Sequence, residues 1–227
     1  MNLQYLNNIE LTNLKKLSAI LGRELLFVDL EATALVHQHN FSIIEIGIII
    51  ITPNHIIEKS SLVDPLMHIP SYITELTGIT NEMVRGKKTF PHFNSYFEKI
   101  SKTHILCGYN SKSFDSTGIC KMGRQHGRHY SFLNQLDIRY LFLRNRNQLT
   151  GTKSQKGSLT EASNFYKVSL NTGNAHRAAY DIALTALLAE SIIQFHGFET
   201  LLPDIEKLDC LTTKNNFKNY LKIVKNG

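Results

Sequence analysis

Cysteines are scarce in this sequence, and the three that occur argue against two classes of protein. Cys107, Cys120 and Cys210 include no CxxC pair, and their number is odd. This pattern argues against a disulfide framework and against a zinc site, and it favours a reducing compartment. We therefore expect a cytoplasmic protein.

A long hydrophobic run is lacking as well. We expect no stretch that reaches the roughly 20 apolar residues of a membrane-spanning helix. Residues 1–20 carry polar and charged side chains throughout, so they lack the apolar centre of a signal peptide. Both absences predict a protein without a membrane partner.

Acidic residues are outnumbered by basic ones, 19 to 25, which gives a formal net charge of +6. A basic balance is compatible with nucleic acid as a partner, and an ordinary basic surface explains it equally well. The same two interpretations apply to six candidates for phosphate contacts: Arg124, Arg128, Arg144, Arg146, Lys153 and Lys156.

The apolar pattern predicts strands first and then alternating helices and strands. Apolar runs over residues 25–28, 43–51, 56–63 and 104–108 indicate strands, the first three as an antiparallel meander. Helical spacing predicts helices over residues 9–21, 90–100, 113–125, 136–143, 158–166 and 175–195, with two short pieces after Pro70 that are separated at Gly78. Residues 144–157 are expected to form an exposed loop. This order implies a mixed α/β sheet with helices on its faces.

With 227 residues, the chain fits one domain of moderate size with short appendages. We expect a helical extension over residues 1–22, the main domain over 23–196 and a helical tail over 197–227. The sequence leaves the oligomeric state open, and a homodimer is among the assemblies it allows.

Two acidic residues end the first predicted strand. Asp29 and Glu31 are two positions apart, so a strand would point both carboxylates to one face. Like charges held this close repel each other unless a cation lies between them. Oxygen ligands of this kind suit Mg²⁺ or Mn²⁺, although an isolated pair of acids is more often simply solvated.

Three further candidates lie later in the chain. Asp115 falls in the first turn of a predicted helix, where the helix dipole alone already favours an acid. His176 and Asp181 stand at the start of the longest predicted helix, five residues apart. An unbroken helix would not put them on one face. If His176 sits just before the helix, on the loop over residues 172–175, it can turn back toward the site where Asp181 points. The alternative is an exposed histidine and a solvent-facing aspartate at the helix start.

Taken together and in this order, the candidates resemble the DEDDh branch of the DnaQ-like 3′–5′ exonucleases. Residues 28–33 read V-D-L-E-A-T and match the D-x-E-x-T motif of that family. Residues 110–115 contain the asparagine and the F-D of the second motif, and residues 176–181 read H-R-A-A-Y-D, which matches H-x-A-x-x-D. Residues 76–80 read L-T-G-I-T, which is similar to another family segment. The resemblance covers most of the chain, from about residue 25 to 193.

The resemblance implies a ribonuclease H-like fold, with a central mixed five-stranded sheet flanked by helices, and a site for two Mg²⁺ or Mn²⁺ ions. Asp29 would bridge both ions, while Glu31 and Asp181 would help to hold the ion that carries the attacking water. Asp115 would act on the second ion. His176 would take the proton from the water, since an imidazole titrates near neutral pH.

The resemblance also implies a slot for the terminal nucleotide. Thr33, Ala34 and Leu35 would line one wall of this slot, and Asn110 and Phe114 would support the other. The sequence departs from the common pattern at Ala32 and Ala34, where the family often has threonine and glycine, and at Tyr109, where it often has histidine. These departures leave the metal ligands in place and put the subfamily and substrate in doubt.

The function implied by the resemblance is release of nucleoside 5′-monophosphates from the 3′ end of single-stranded DNA. Three alternatives stay open at this point. The first is an exoribonuclease that trims RNA, the second is a catalytically weak nucleic-acid-binding subunit, and the third is a metal phosphoesterase that acts on small molecules. The five candidate catalytic residues argue against a pure binding protein.

Overall fold

A five-stranded mixed sheet organises the computed structural model, which describes residues 5–6, 9–170 and 176–226. The strands are β1 (Leu25–Ala32), β2 (Ile43–Ile51), β3 (Ile56–Leu62), β4 (Ile105–Gly108) and β5 (Gln135–Asp137). Their order across the sheet is β3-β2-β1-β4-β5. β1, β2 and β3 form the predicted antiparallel meander, whereas β4 and β5 run parallel to β1. The predicted mixed sheet is therefore confirmed.

Ten α-helices accompany the sheet in the described part of the chain. They are α1 (Thr12–Leu21), α2 (Ser71–Thr77), α3 (Asn81–Val84), α4 (Asn94–Thr103), α5 (Asp115–Gln125), α6 (Ile138–Thr150), α7 (Leu159–Phe165), α8 (Ala178–His196), α9 (Leu202–Ile205) and α10 (Leu211–Asn226). Short 3₁₀ turns at Phe90–Phe93 and Phe198–Leu201 precede α4 and α9. α1 ends at Gly22, which adopts the left-handed φ of 63° that a glycine allows.

The segment around residues 136–157 differs from the prediction. The first residues of the predicted helix form β5, and α6 continues to Thr150, into the segment that was predicted as an exposed loop. The physical reason is that the basic side chains of α6 have internal partners. Arg146 is buried and pairs with Glu161, and Arg144 donates to the Asp204 carboxylate at 2.7 Å. Arg128 also lies 3.7 Å from a carboxylate oxygen of Glu98, so three of the six candidates for phosphate contacts form ion pairs within the chain.

The alternation of side chains along β1 divides the core into two layers. Leu25 and Phe27 face the layer that contains α8, and they belong to the same hydrophobic cluster as Ile182 of that helix. Leu26 and Val28 face the opposite layer, which α4 and α5 cover. Asp29 continues the face of Leu25 and Phe27, so its side chain points toward the layer of α8.

Helix α8 corrects one expectation about hydrophobic length. Its 19 residues have a mean hydropathy of 1.3 over an 18-residue window, which is long and apolar enough for a membrane span by composition alone. However, 61% of that window is buried, because α8 packs against β1 and β2. The helix has the apolar composition of a central core helix.

The terminal helices join the same hydrophobic layer. Leu14 and Leu17 of α1 and Phe217 of α10 are buried in the core that α8 covers. The carboxylate of Glu190 on α8 accepts hydrogen bonds from the backbone N–H groups of Asn13 and Leu14, at 2.8 and 2.9 Å. These contacts tie α1 directly to the central helix. The division into a 23–196 domain with two appendages stays a prediction.

Candidate active site

Strand β1 carries the first two acidic residues of the site. The strand extends to Ala32, four residues beyond the apolar run that predicted it, so Asp29 and Glu31 lie within it and point to the same face. Across the antiparallel pair, Asp29 is opposite Gly47 and Glu31 is opposite Glu45. Glycine is required at position 47, because a Cβ atom there would lie 2.6 Å from the carbonyl oxygen of Ala178. The first turn of α8 therefore sits directly on β2.

Helix α8 supplies the third acid. Carboxylate oxygens of Asp29, Glu31 and Asp181 all lie within 4.8 Å of one another. Hard oxygen ligands at this separation match the requirements of a divalent cation such as Mg²⁺ or Mn²⁺. The three residues form a candidate divalent-metal site, and each keeps some exposure to solvent.

Asp115 adds a fourth carboxylate from α5. Its side chain is only 2% exposed, and its Oδ1 atom has no hydrogen-bond partner among the described residues. A buried carboxylate oxygen without a partner is costly, because it has lost its water and gained nothing in return. A cation adjacent to Oδ1 would remove this cost, so the residues present fit a metal centre. We call Asp29, Glu31, Asp115 and Asp181 the carboxylate site.

The electrostatics of the carboxylate site are those of crowded like charges. Burial, reinforced by Asp115, Glu31 and Asp181, holds the pKa of Asp29 well above its ordinary value. Burial and the Asp181 charge raise the pKa of Glu31 to about 8. Burial and crowding therefore favour the protonated form of these acids, whereas a bound cation would favour the ionised form of each one.

The two remaining acids respond to the same causes. Burial raises the pKa of Asp115 well above its usual range, against the opposing effect of the backbone N–H groups of Asp115 itself and of Leu30. Burial also raises the pKa of Asp181, and His176 partly offsets that rise.

His176 lies two residues before the start of α8 and contacts the site through its backbone. Its N–H group donates to Asp181 Oδ2 at 3.0 Å, and its φ of 61° lies in the left-handed region. The side chain itself is exposed. The expected return toward Asp181 is therefore made by the main chain. The loop over residues 172–175, on which we expected His176 to sit, lies outside the described residues.

The predicted wall of the nucleotide slot follows β1. Thr33 is buried, and its Oγ1 accepts from Ser42 N–H at 2.8 Å and donates to the Asn40 carbonyl at 2.7 Å, so it closes the loop after β1. Ala34 is buried beside it, whereas Leu35 projects with 58% of its surface exposed. Of the three residues, Leu35 is the one whose side chain is free to contact another molecule.

The residues predicted for the opposite wall lie at the start of α5. Asn110 has a left-handed φ of 62°, and its N–H group donates to Asp137 Oδ1 at 3.0 Å. Phe114 is half-buried and packs edge-to-face on Phe41, with ring centroids 6.0 Å apart. These contacts place both residues next to Asp115, on the loop between β4 and α5.

Two features of the site were not predicted from the sequence. Asp137 caps α6 and also accepts from the N–H groups of Asn110 and Lys112, so it shapes the loop that carries Asp115. An aspartate directly before a helical run is a recognisable N-cap signal. The second feature is an ion pair between the buried Glu45 and the partly exposed Arg177. Its two residues are 132 positions apart, and no sequence pattern connects them.

Comparison with known proteins identifies the family. A family model described as Exonuclease (RNase_T) matches residues 26–189, which is most of the chain. The chain belongs to the exonuclease family. It is similar to the DNA polymerase III subunit epsilon of Aquifex aeolicus, with 32% identity over 202 residues that cover 88% of this chain and 95% of that protein. The exonuclease resemblance seen in the motifs is thereby confirmed, and the chain is an enzyme of the nuclease type.

Solved structures of exonucleases share the fold. Exonuclease X in complex with 5′ overhanging duplex DNA matches with a TM-score of 0.57 and 21% identity, covering 77% of this chain and 93% of that one. Escherichia coli exonuclease I in complex with a dT13 oligonucleotide matches with a TM-score of 0.64 and 17% identity, covering 82% of this chain and 45% of that one. These matches confirm the predicted ribonuclease H-like fold.

Two further relatives are much longer than the chain. It is 36% identical over 93 residues to the PolC-type DNA polymerase III of Clostridium perfringens, and 27% identical over 175 residues to that of Halalkalibacterium halodurans. The aligned parts cover 40% and 74% of this chain but span only 6% and 11% of those polymerases. The chain is therefore similar to a small part of each of these polymerases.

Proposed function

We propose that this exonuclease hydrolyses phosphodiester bonds at the 3′ end of single-stranded DNA and releases nucleoside 5′-monophosphates. The observation that carries the proposal is the carboxylate site, in which oxygens of Asp29, Glu31 and Asp181 lie within 4.8 Å of one another. Asp115 adds a buried oxygen that has no hydrogen-bond partner within the described part of the chain. An arrangement that raises the pKa of several acids at once is costly to the fold and is typical of a functional site.

Mg²⁺ or Mn²⁺ is the cofactor that this donor set suits, and we propose two ions in each site. When bound, two such ions supply positive charge that stabilises the attacking and leaving oxygens of a phosphoryl displacement. Asp29, Glu31, Asp115 and Asp181 would hold them. Asp29, which the charges of the other three acids all affect, is the candidate for the shared ligand.

His176 is our candidate for the general base. Support comes from its backbone N–H bond to Asp181, which keeps the residue at the edge of the carboxylate site, and from its exposed side chain. An imidazole in contact with solvent can accept a proton from an attacking water near neutral pH. Thr33, Ala34 and Leu35 on one side, and Asn110 and Phe114 on the other, would border the terminal nucleotide.

The choice of DNA rests on what the similar proteins are called. A relative aligned over 88% of this chain is a DNA polymerase III subunit, and the structural neighbours include exonuclease I bound to a DNA oligonucleotide. A single strand is favoured because the site must accept one splayed terminal nucleotide. RNA stays the alternative substrate, since contacts to a 2′-hydroxyl would decide between the two. We also propose a cytoplasmic location, which the unpaired cysteines support.

Digestion of labelled oligonucleotides tests the proposal. Matched single- and double-stranded DNA and RNA, each labelled at the 3′ or the 5′ end, are incubated with Mg²⁺, with Mn²⁺ or with chelator. We expect the 3′ label to leave at once as a mononucleotide and the 5′-labelled strand to shorten stepwise, only when the metal is present. Asp29→Ala and His176→Ala should lose this activity.

Asp209→Ala is the matched control, since Asp209 is exposed and contacts Asn134 at the opposite end of the sheet. It should retain full activity. Binding of oligonucleotides without hydrolysis would support the catalytically weak binding subunit instead. Hydrolysis that does not depend on oligonucleotide length would support a small-molecule phosphoesterase.

A further inference from the structure

We propose that Glu45 and Arg177 act as positioning residues that hold the start of α8, and with it His176 and Asp181, against the acids of β1. This inference rests on the proposed function, because it concerns the geometry of the same site. We call the contacts between Glu45, Arg177 and Ala178 the Glu45 clamp. Neither Glu45 nor Arg177 belongs to the carboxylate site.

The contacts of Glu45 are unusually complete for a buried acid. Its side chain is 1% exposed, and both of its oxygens are used. Oε1 accepts from Arg177 Nη2 at 2.8 Å, and Oε2 accepts from Arg177 Nε at 3.0 Å and from Ala178 N–H at 3.0 Å. Such two-point pairing fixes the orientation of both partners as well as their distance.

The clamp also replaces a missing helix cap. The N-cap residue of α8, Arg177, does not cap the helix with its own side chain. Helix N-termini leave backbone N–H groups without partners, and a carboxylate there satisfies them and favours the helix dipole. In this chain the acceptor is Glu45, which lies on β2. The sheet, and not the loop before the helix, therefore fixes the position of the helix start.

Glu45 lies on β2 beside the two acids of β1, so its attachment to α8 affects the geometry of the site. In the sheet, Glu45 is directly opposite Glu31, and Gly47 is directly opposite Asp29. Ala178 lies so close to Gly47 that no side chain fits between them. Strand β2 therefore holds the start of α8 at two points, next to the two acids of β1.

The residues on either side of the clamp are the ones that the proposed chemistry needs. His176 immediately precedes Arg177, and its N–H group is bonded to Asp181, one turn into the helix. A shift of the clamp would move His176 and Asp181 together relative to Asp29. Displacement of reacting groups by about 1 Å is enough to lower a rate by about 10²-fold.

Kinetics of single variants distinguish positioning from general stability. In Glu45→Ala we expect kcat for a single-stranded oligonucleotide to fall by about 10²-fold with little change in KM, since the acids of β1 and the nucleotide slot are untouched. Glu45→Gln should recover part of the loss, because its amide oxygen can still accept from Ala178. Arg177→Lys should stay well below wild type, because a lysine keeps the charge but not the two-point pairing.

Asp204→Ala is the matched control. Asp204 is also a buried acid paired with an arginine, Arg144, but it lies on α9. We expect this variant to lose stability and to keep its kcat. Equal losses of kcat in Glu45→Ala and Asp204→Ala at equal melting temperatures would show a general effect of stability and overturn the proposal. A raised KM with unchanged kcat in Arg177→Lys would also overturn it, because that result assigns Arg177 to substrate contact.

Hydrogen–deuterium exchange gives a readout that does not depend on activity. In metal-free Glu45→Ala, the peptide over residues 176–184 should exchange faster than in wild type, while peptides from β4 and α5 stay unchanged. Unchanged exchange and unchanged kcat together would refute the clamp. If wild-type protein released no nucleotide at all, the proposed function would fail, and the exchange measurement would still decide whether Glu45 holds α8.

Discussion

Replacing Glu31 with glutamine should stabilise the metal-free protein at pH 8, although it removes a proposed metal ligand. Burial and the charge of Asp181 raise the pKa of Glu31 from 4.5 to about 8. Because the folded-state pKa is the higher one, the folded chain holds more protons than the unfolded chain between these two values. The free energy of unfolding therefore falls as the pH rises from 4.5 to about 8.

The size of the effect follows from the same shift. At about 1.4 kcal/mol for each pKa unit, the ionised carboxylate costs the folded state up to about 5 kcal/mol at pH 8. Water that reaches this partly exposed side chain screens part of the cost, so we expect a gain of about 2 to 3 kcal/mol from glutamine. For a chain of this length, that gain corresponds to a rise in Tm of about 5 to 10 °C.

Thermal unfolding in the presence of chelator measures this gain. The rise in Tm of Glu31→Gln over wild type should be largest at pH 8 and should mostly disappear at pH 5, where the folded wild-type side chain is protonated. Glu75→Gln is the control, since Glu75 is exposed on α2, and it should leave Tm unchanged at both values of pH. A lower Tm for Glu31→Gln at pH 8, or an equal gain at both values, would refute the crowding of charges.

Three other experiments probe contacts in and around the carboxylate site. Gly47→Ala should destabilise the fold by about 1–3 kcal/mol in urea unfolding, because its methyl group would meet the Ala178 carbonyl oxygen, and it should lower activity by displacing α8. Asp137→Ala should cost about 1–2 kcal/mol through loss of the α6 cap, measured in the same way, and a cost near zero would contradict the capping role. Saturating Mn²⁺ should raise the Tm of wild type at pH 8 and leave that of Asp29→Ala nearly unchanged.

The part of the site that lies on continuous motifs could be predicted from the sequence. Alternation along a strand is a local rule, so it placed Asp29 and Glu31 side by side before any tertiary contact was known. Three ordered motifs then pointed to the exonuclease family, which the family match confirms. Strand β1 nevertheless runs four residues further than its apolar core, because pairing with β2 continues past Asp29.

The part that depends on long-range packing could not be predicted. Strand β5 is three residues long and too short to show a period, and only its pairing with β4 defines it as a strand. Helix α6 carries basic residues, which in the sequence indicate a surface loop. In the structure two of them pair with Asp204 and Glu161, which lie later in the chain. The sequence shows Glu45 as an acid within an isoleucine-rich strand, but its partner Arg177 lies 132 positions later in the chain, so no local pattern connects the two.

Calorimetric titration of Mn²⁺ into the metal-free protein measures directly whether the carboxylate site binds metal. We expect wild type to bind two ions per chain and Asp29→Ala to lose this binding, while Asp209→Ala retains it. A folded wild-type protein that bound no Mn²⁺, or an Asp29→Ala variant that bound it as tightly as wild type, would contradict the proposed metal centre.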